Sequence, residues 1–172
     1  MVDSGLMSIH NFDNQMRRGD EGATFLDEFF REKGYDIREA TRDEQRSGID
    51  RAFTNPKSGK ISLVEYKTDT RAATSGNAFI ETISVDAAGK MGWALTARAD
   101  ILVYYVPPTG TIYVLQFKAL HWELPRWIRD FPPRHAQNKG YATHGIIIPL
   151  SELAKSAMRI YQLGEDGGAP DL

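Results

Sequence analysis

The turn Asn55-Pro56-Lys57-Ser58-Gly59 lies between two segments of strand character and constrains the chain more than any other feature. Pro presets φ and Gly accepts the tight bend, so the backbone doubles back there. The segment after it, Lys60–Thr68, alternates in character. Ile61, Leu63, Glu65 and Lys67 fall on one face, and Ser62, Val64 and Tyr66 on the other. The segment before it, Ile49–Thr54, is a second strand. Antiparallel pairing across the turn brings Asp50 beside Glu65. Ile61 and Leu63 are expected to be buried, so two charges continue an apolar face. Burying a charge without a partner is costly. Either a structural salt bridge or a working site has to account for them, and the convergence of Asp50 on the same place favours the site.

The rest of the chain reads as an α/β domain. Residues 1–10 are expected to be a loose leader, residues 11–163 a single domain, and the Gly-, Pro- and acid-rich residues 164–172 a disordered tail. Phe12, Met16, Gly19, Ala23, Leu26 and Phe30 recur at helical steps and predict a helix over Asn11–Lys33, with Gly19 and Gly22 as weak points inside it. Tyr35–Glu39 is a short strand, and Thr41–Gly48 and Thr70–Gly76 are loops. Asn77–Ser84 is a strand on which Glu81 reads as a surface acid, with a peripheral site acid as the alternative. Ala88–Ala97, with Trp93, is a short helix. Asp100–Val106 and Thr111–Lys118 form a hairpin across Pro107-Pro108-Thr109-Gly110. Ala119–Asp130 is a helix interrupted at Pro125, Phe131–Tyr141 is irregular, Thr143–Pro149 is a strand, and Ser151–Met158 is a helix.

Composition narrows the chemistry. The 172 residues contain no Cys, which removes disulfides, zinc–thiolate sites and cysteine nucleophiles. The four His residues show no metal-ligand spacing. No secretory signal is evident, and the longest apolar stretches, Ile101–Val106 and Gly145–Leu150, are too short to span a bilayer. A cytoplasmic or nucleoid-associated protein with no membrane partner is expected. The formal net charge of −2 argues against a general basic coat but not against a local basic face. Arg17, Arg18, Arg46, Arg51 and Arg71 are the candidates for DNA backbone contact. A second basic group, Arg126, Arg129, Arg134, His135 and Lys139, is interleaved with Trp122 and Trp127. The two tryptophans read more simply as core, with Trp127 and Ile128 facing inward.

Two carboxylates side by side make a hard-oxygen site suited to Mg²⁺ or Mn²⁺. Such a metal polarises a phosphoryl group and lowers the pKa of water. Lys67, on the strand face of Glu65, could orient that water and stabilise charge developing on phosphorus.

The order helix, strand, Asp-bearing strand, turn and Glu-Tyr-Lys strand, over about Phe12 to Val106, resembles the PD-(D/E)xK nuclease superfamily. That group includes restriction endonucleases, Holliday junction resolvases and repair nucleases. Asp50 matches its first acid, Glu65 its second and Lys67 its lysine. Ile49 stands where many members have Pro.

The resemblance implies a restriction-endonuclease-like mixed central sheet flanked by helices. It implies the main-chain carbonyl of Tyr66 as a further metal ligand and an additional acid on the first helix, for which Glu21 is preferred to Glu28. It also implies a Mg²⁺-dependent deoxyribonuclease, with Mn²⁺ able to substitute, acting as a homodimer on double-stranded or branched DNA. A junction resolvase is the first expectation and a restriction-type or repair endonuclease the second. Readings of another class are a non-catalytic DNA-binding module of the same fold and a protein-interaction domain in which the triad is a salt-bridge cluster.

Overall fold

The computed structural model describes residues 4–138 and 140–164, apart from the side chains of residues 4–17 and 138. The first helix, α1 (Ser4–Glu32), begins well before the predicted start, so the expected leader is helical from Ser4. It ends at Gly34, whose φ of +95° suits glycine alone. Then come β1 (Asp36–Glu39), α2 (Arg42–Arg46), β2 (Arg51–Thr54), β3 (Ile61–Thr68), the single-turn α3 (Ala72–Ser75), β4 (Asn77–Val85), β5 (Lys90–Met91) and α4 (Trp93–Thr96). The chain closes with β6 (Ile101–Val106), β7 (Thr111–Gln116), α5 (Phe117–Asp130), β8 (Pro133–Asn138), β9 (Tyr141–Pro149), α6 (Leu150–Ser156) and β10 (Arg159–Gln162). Of the predicted tail, residues 165–172 lie outside the described residues.

The architecture is a mixed central sheet flanked by helices. Six strands run in the order β1-β2-β3-β6-β7-β10, and a smaller sheet has the order β5-β4-β9-β8. The predicted hairpins β2–β3 and β6–β7 are both present and antiparallel, whereas β3 and β6 are parallel. One face of the large sheet is covered by α1. There Leu26 and Phe30 meet Phe53, Val64, Tyr66, Val103, Ile112 and Val114. Phe30 contacts the rings of Tyr35, Phe53 and Tyr161 at centroid distances of 5.1–6.2 Å. The other face carries a second core, where Leu102, Tyr104 and Leu115 meet Ile80, Leu120, Trp127, Ile148 and Leu153 from the small sheet, α5 and α6.

Several expectations are corrected. Along β3 the alternation is as predicted, but the fully buried face is Ser62, Val64 and Tyr66, which lies under α1. Ile61 is 61% exposed, and Leu63 only partly covered. The Thr41–Gly48 loop contains α2, held by a capping box: Thr41 Oγ1 accepts from the Glu44 N–H at 3.3 Å, and the Thr41 N–H donates to Glu44 Oε2 at 2.7 Å. Thr70–Gly76 likewise contains α3. Pro125 lies inside a continuous α5. The stretch predicted irregular is β8, an edge strand exposed over residues 133–137 that starts with Pro133, where no ladder donor is needed. Trp127 is buried as expected, but Ile128 is half exposed and Trp122 is 84% exposed.

Candidate metal centre on the central sheet

The register of the β2–β3 hairpin assembles the acids. Arg51 pairs with Val64, and the Asp50 N–H donates to the Val64 carbonyl at 2.8 Å, so Asp50 extends the ladder and lies opposite Glu65. The Tyr66 N–H then donates to Asp50 Oδ2 at 2.8 Å. A side-chain oxygen thus takes a place that a main-chain carbonyl would fill in a longer ladder. This fixes the Asp50 carboxylate against β3, within hydrogen-bonding reach of the Glu65 carboxyl. Gly48 makes the approach to Asp50 possible. It has φ +70°, and a Cβ there would fall 2.8 Å from Ala97.

Glu65 is only 5% exposed. Burial pushes its carboxyl above the ordinary value, the Lys67 ammonium opposes that rise, and the neighbouring charge of Asp50 adds to it. Lys67 Nζ donates to Glu65 Oε1 and sits over the ring of Trp93, 5.5 Å from its centroid. Glu81 is the second acid near this ammonium. Burial raises its carboxyl, against the pull of Lys67 and of the Trp93 backbone amide. The surface acid of the sequence reading is therefore a half-buried wall of the site. Glu81 answers to the peripheral acid of the sequence reading, whereas nothing in the local sequence marks Trp93; both arrive from the chain between β3 and β6.

No protein-family model, no curated protein and no solved structure matches this chain.

The expected helix acid, Glu21, and its alternative, Glu28, both lie on α1. Glu21 and Glu28 are exposed on α1, where they line a shallow depression with Asp20, Thr24 and Phe25. Among the described residues no group of three or more His, Cys, Asp or Glu side chains is placed to hold a metal ion. The carboxylate that α1 buries is Asp27, at 6% exposure, and it faces the sheet from the side opposite Glu65.

Arg51, expected to contact DNA, has protein partners. Its Nε donates to both oxygens of Asp27 at 2.9 and 3.0 Å, and its Nη1 to the Asp50 carbonyl at 2.9 Å. That side chain is 14% exposed, and its guanidinium is engaged by protein acceptors at Nε and Nη1. Arg18 and Arg71 are exposed, and Arg46 is exposed beside Asp43 at 3.2 Å. The side chain of Arg17 lies outside the described residues. Asp69, next to the motif, caps α3 by accepting from the N–H groups of Arg71 and Ala72 at 2.9 and 3.1 Å, and it also accepts from the Tyr104 hydroxyl. In the second basic group, Arg126 is shared by Glu123 and Glu152, and Arg129 is paired with Asp130. Among the described residues no helix is long and apolar enough to cross a membrane.

The donor set suits a hard divalent cation. Two adjacent carboxylates, one raised in pKa first by burial and then by its neighbour's charge, form a concentration of negative charge that a bound cation would relieve. Lys67 alone offsets only part of it.

Proposed function

We propose that this protein is a metal-dependent nuclease that hydrolyses DNA phosphodiesters, with Asp50, Glu65 and Lys67 as its active site on a restriction-endonuclease-like sheet. The observation that carries the reading is the convergence of the Asp50 and Glu65 carboxyls on one sheet face with the Lys67 ammonium beside them. Mg²⁺ or Mn²⁺ would be held by Asp50 and Glu65, with the Tyr66 carbonyl as a further oxygen, and would supply Lewis-acid polarisation of the phosphoryl group and a more acidic water. The chain's own groups do the rest. Asp50 is locked by the Tyr66 amide, so its carboxylate needs little reorganisation to serve as a ligand. Lys67 is restrained between Glu65 and the Trp93 ring. From there its ammonium can hold a water for in-line attack and meet charge that builds on the phosphate oxygens. The 3′ oxygen leaves. The exposed Arg18, Arg46 and Arg71 are the groups offered to the DNA backbone, and a homodimer would supply paired cuts on branched or double-stranded DNA.

The test is a panel of linear, branched and single-stranded DNA incubated with the purified protein in MnCl₂ and in MgCl₂. Cutting by the wild type is expected, with no cutting by a folded Lys67→Ala variant. If the wild type leaves every substrate intact in Mn²⁺, the nuclease reading is wrong. The Lys67–Glu65 ion pair gives a second reading, in which the cluster only stabilises the sheet. In that case Lys67→Ala lowers the melting temperature and there is no wild-type activity to lose.

A further inference from the structure

We propose that Asp27 is a positioning residue for Asp50, working through Arg51 and Tyr66 from the opposite face of the sheet. The inference rests on the nuclease reading above. Asp50 is held by the ladder, its N–H donating to the Val64 carbonyl at 2.8 Å and its carbonyl accepting from the Ala40 N–H at 3.0 Å, and by two further bonds. Its main-chain carbonyl accepts from Arg51 Nη1 at 2.9 Å, and its Oδ2 accepts from the Tyr66 N–H at 2.8 Å. Both of those residues are in turn held by Asp27, which accepts from Arg51 Nε at 2.9 Å and from the Tyr66 hydroxyl at 3.0 Å. The Arg51 guanidinium also lies over the Tyr66 ring, 5.6 Å from its centroid. Both side chains that Asp27 holds thus belong to residues that bond Asp50 directly.

Asp27 is buried and Arg51 nearly so, at 9% and 14% side-chain exposure. A guanidinium this enclosed is fixed in place by its counter-charge, and removing the carboxylate leaves it free to seek another acceptor. Asp50 is then the nearest residue to lose its hold. Groups that orient a metal ligand from behind characteristically change metal affinity by about 10–100-fold when removed.

The experiment measures Mn²⁺ binding by calorimetry, together with plasmid cutting across a range of MnCl₂ concentrations. Asp27→Asn is expected to weaken Mn²⁺ binding by about 10–100-fold. Its lost cutting should return at excess Mn²⁺, with KM for DNA unchanged, because Asp27 lies on the face away from the carboxylate pair. Tyr66→Phe removes one hydroxyl without disturbing the main chain and should shift Mn²⁺ binding in the same direction by a smaller factor. It decides the matter if Asp27→Asn fails to fold. Leu153→Ala, in the remote core, should lower the melting temperature and leave Mn²⁺ affinity at the wild-type value. If Tyr66→Phe, and Asp27→Asn where it folds, bind Mn²⁺ like the wild type while the wild type binds and cuts, the positioning role is refuted and the nuclease reading stands. A wild type that binds no Mn²⁺ overturns both.

Discussion

Two glycines on α1 separate two opposing effects. In a helix interior, replacing Gly by Ala restricts the unfolded backbone and gains about 0.5–1 kcal/mol. At Gly19 a Cβ would meet nothing within 4 Å, so Gly19→Ala should show that gain in full. At Gly22 a Cβ would fall 2.2 Å from Thr68 Oγ1 and 3.0 Å from its Cγ2. Forcing extra volume into a tight contact costs about 1–3 kcal/mol. Thr68 is β-branched and stiff at χ1, so it cannot swing aside cheaply. The clash therefore outweighs the helix propensity, and Gly22→Ala should lose up to about 2 kcal/mol. For a chain of this size each kcal/mol moves the melting temperature by about 2–4 °C. Thermal unfolding followed by circular dichroism should show Gly19→Ala melting about 1–4 °C above the wild type. Gly22→Ala should melt below it by several degrees, and Thr68→Ala should recover most of that loss in the double variant. If Gly22→Ala stabilises as much as Gly19→Ala does, α1 does not cross β3 at the distance described.

Two further outcomes follow. Glu152 is held down to about pKa 2 by its bonds to Lys155 and Arg126, below its ordinary value of 4.5. Its stabilising contribution is therefore fully present above about pH 4.5 and is lost as pH falls toward 2, so the melting-temperature gap between wild type and Glu152→Gln should be constant at neutral pH and close on acidification. Thr41→Ala removes one half of the α2 capping box and should cost about 1 kcal/mol, read as a lowered melting temperature and faster amide exchange at Glu44.

How much of this was legible follows from what each pattern encodes. Period-two alternation divided the residues of β3 correctly between two faces, because that division is fixed by the backbone. It could not say which face meets the helix. The apolar Ile61 and Leu63 pointed to one side, and the aromatic ring of Tyr66 decided for the other. The turn at Asn55–Gly59 gave the pairing of Asp50 with Glu65, since Asn55 Oδ1 accepts from the N–H groups of Lys57 and Ser58 and closes the turn locally. Asp27 was legible but passed over. It stands four residues after Ala23 and three before Phe30, within the apolar stripe, and a lone acid in that place signals a buried partner. Arg51 could not be separated from the exposed arginines by sequence, because its partner lies 24 residues away on another element. The edge strand β8 carries no alternating apolar residues, so its strand character comes only from pairing with β9.

Among the described strands, β3 and β6 form the one parallel pair, with Val64 beside Ile101. Parallel neighbours cannot be joined by a tight turn, so the chain must leave the sheet and come back. That excursion carries Glu81 and Trp93, the wall beside Lys67, whereas both carboxylates ride on a short hairpin. The two halves of the site are therefore subject to different rules of change. Altering the hairpin by one residue would turn Glu65 to the other face of the sheet. Doubling the length of a flexible excursion costs only about 0.6 kcal/mol in closure entropy. The tip at Gly89, which has open space around it, can thus be lengthened or reshaped without moving the acids. In this molecule the carboxylate pair is fixed by register, while the wall beside it is free to vary.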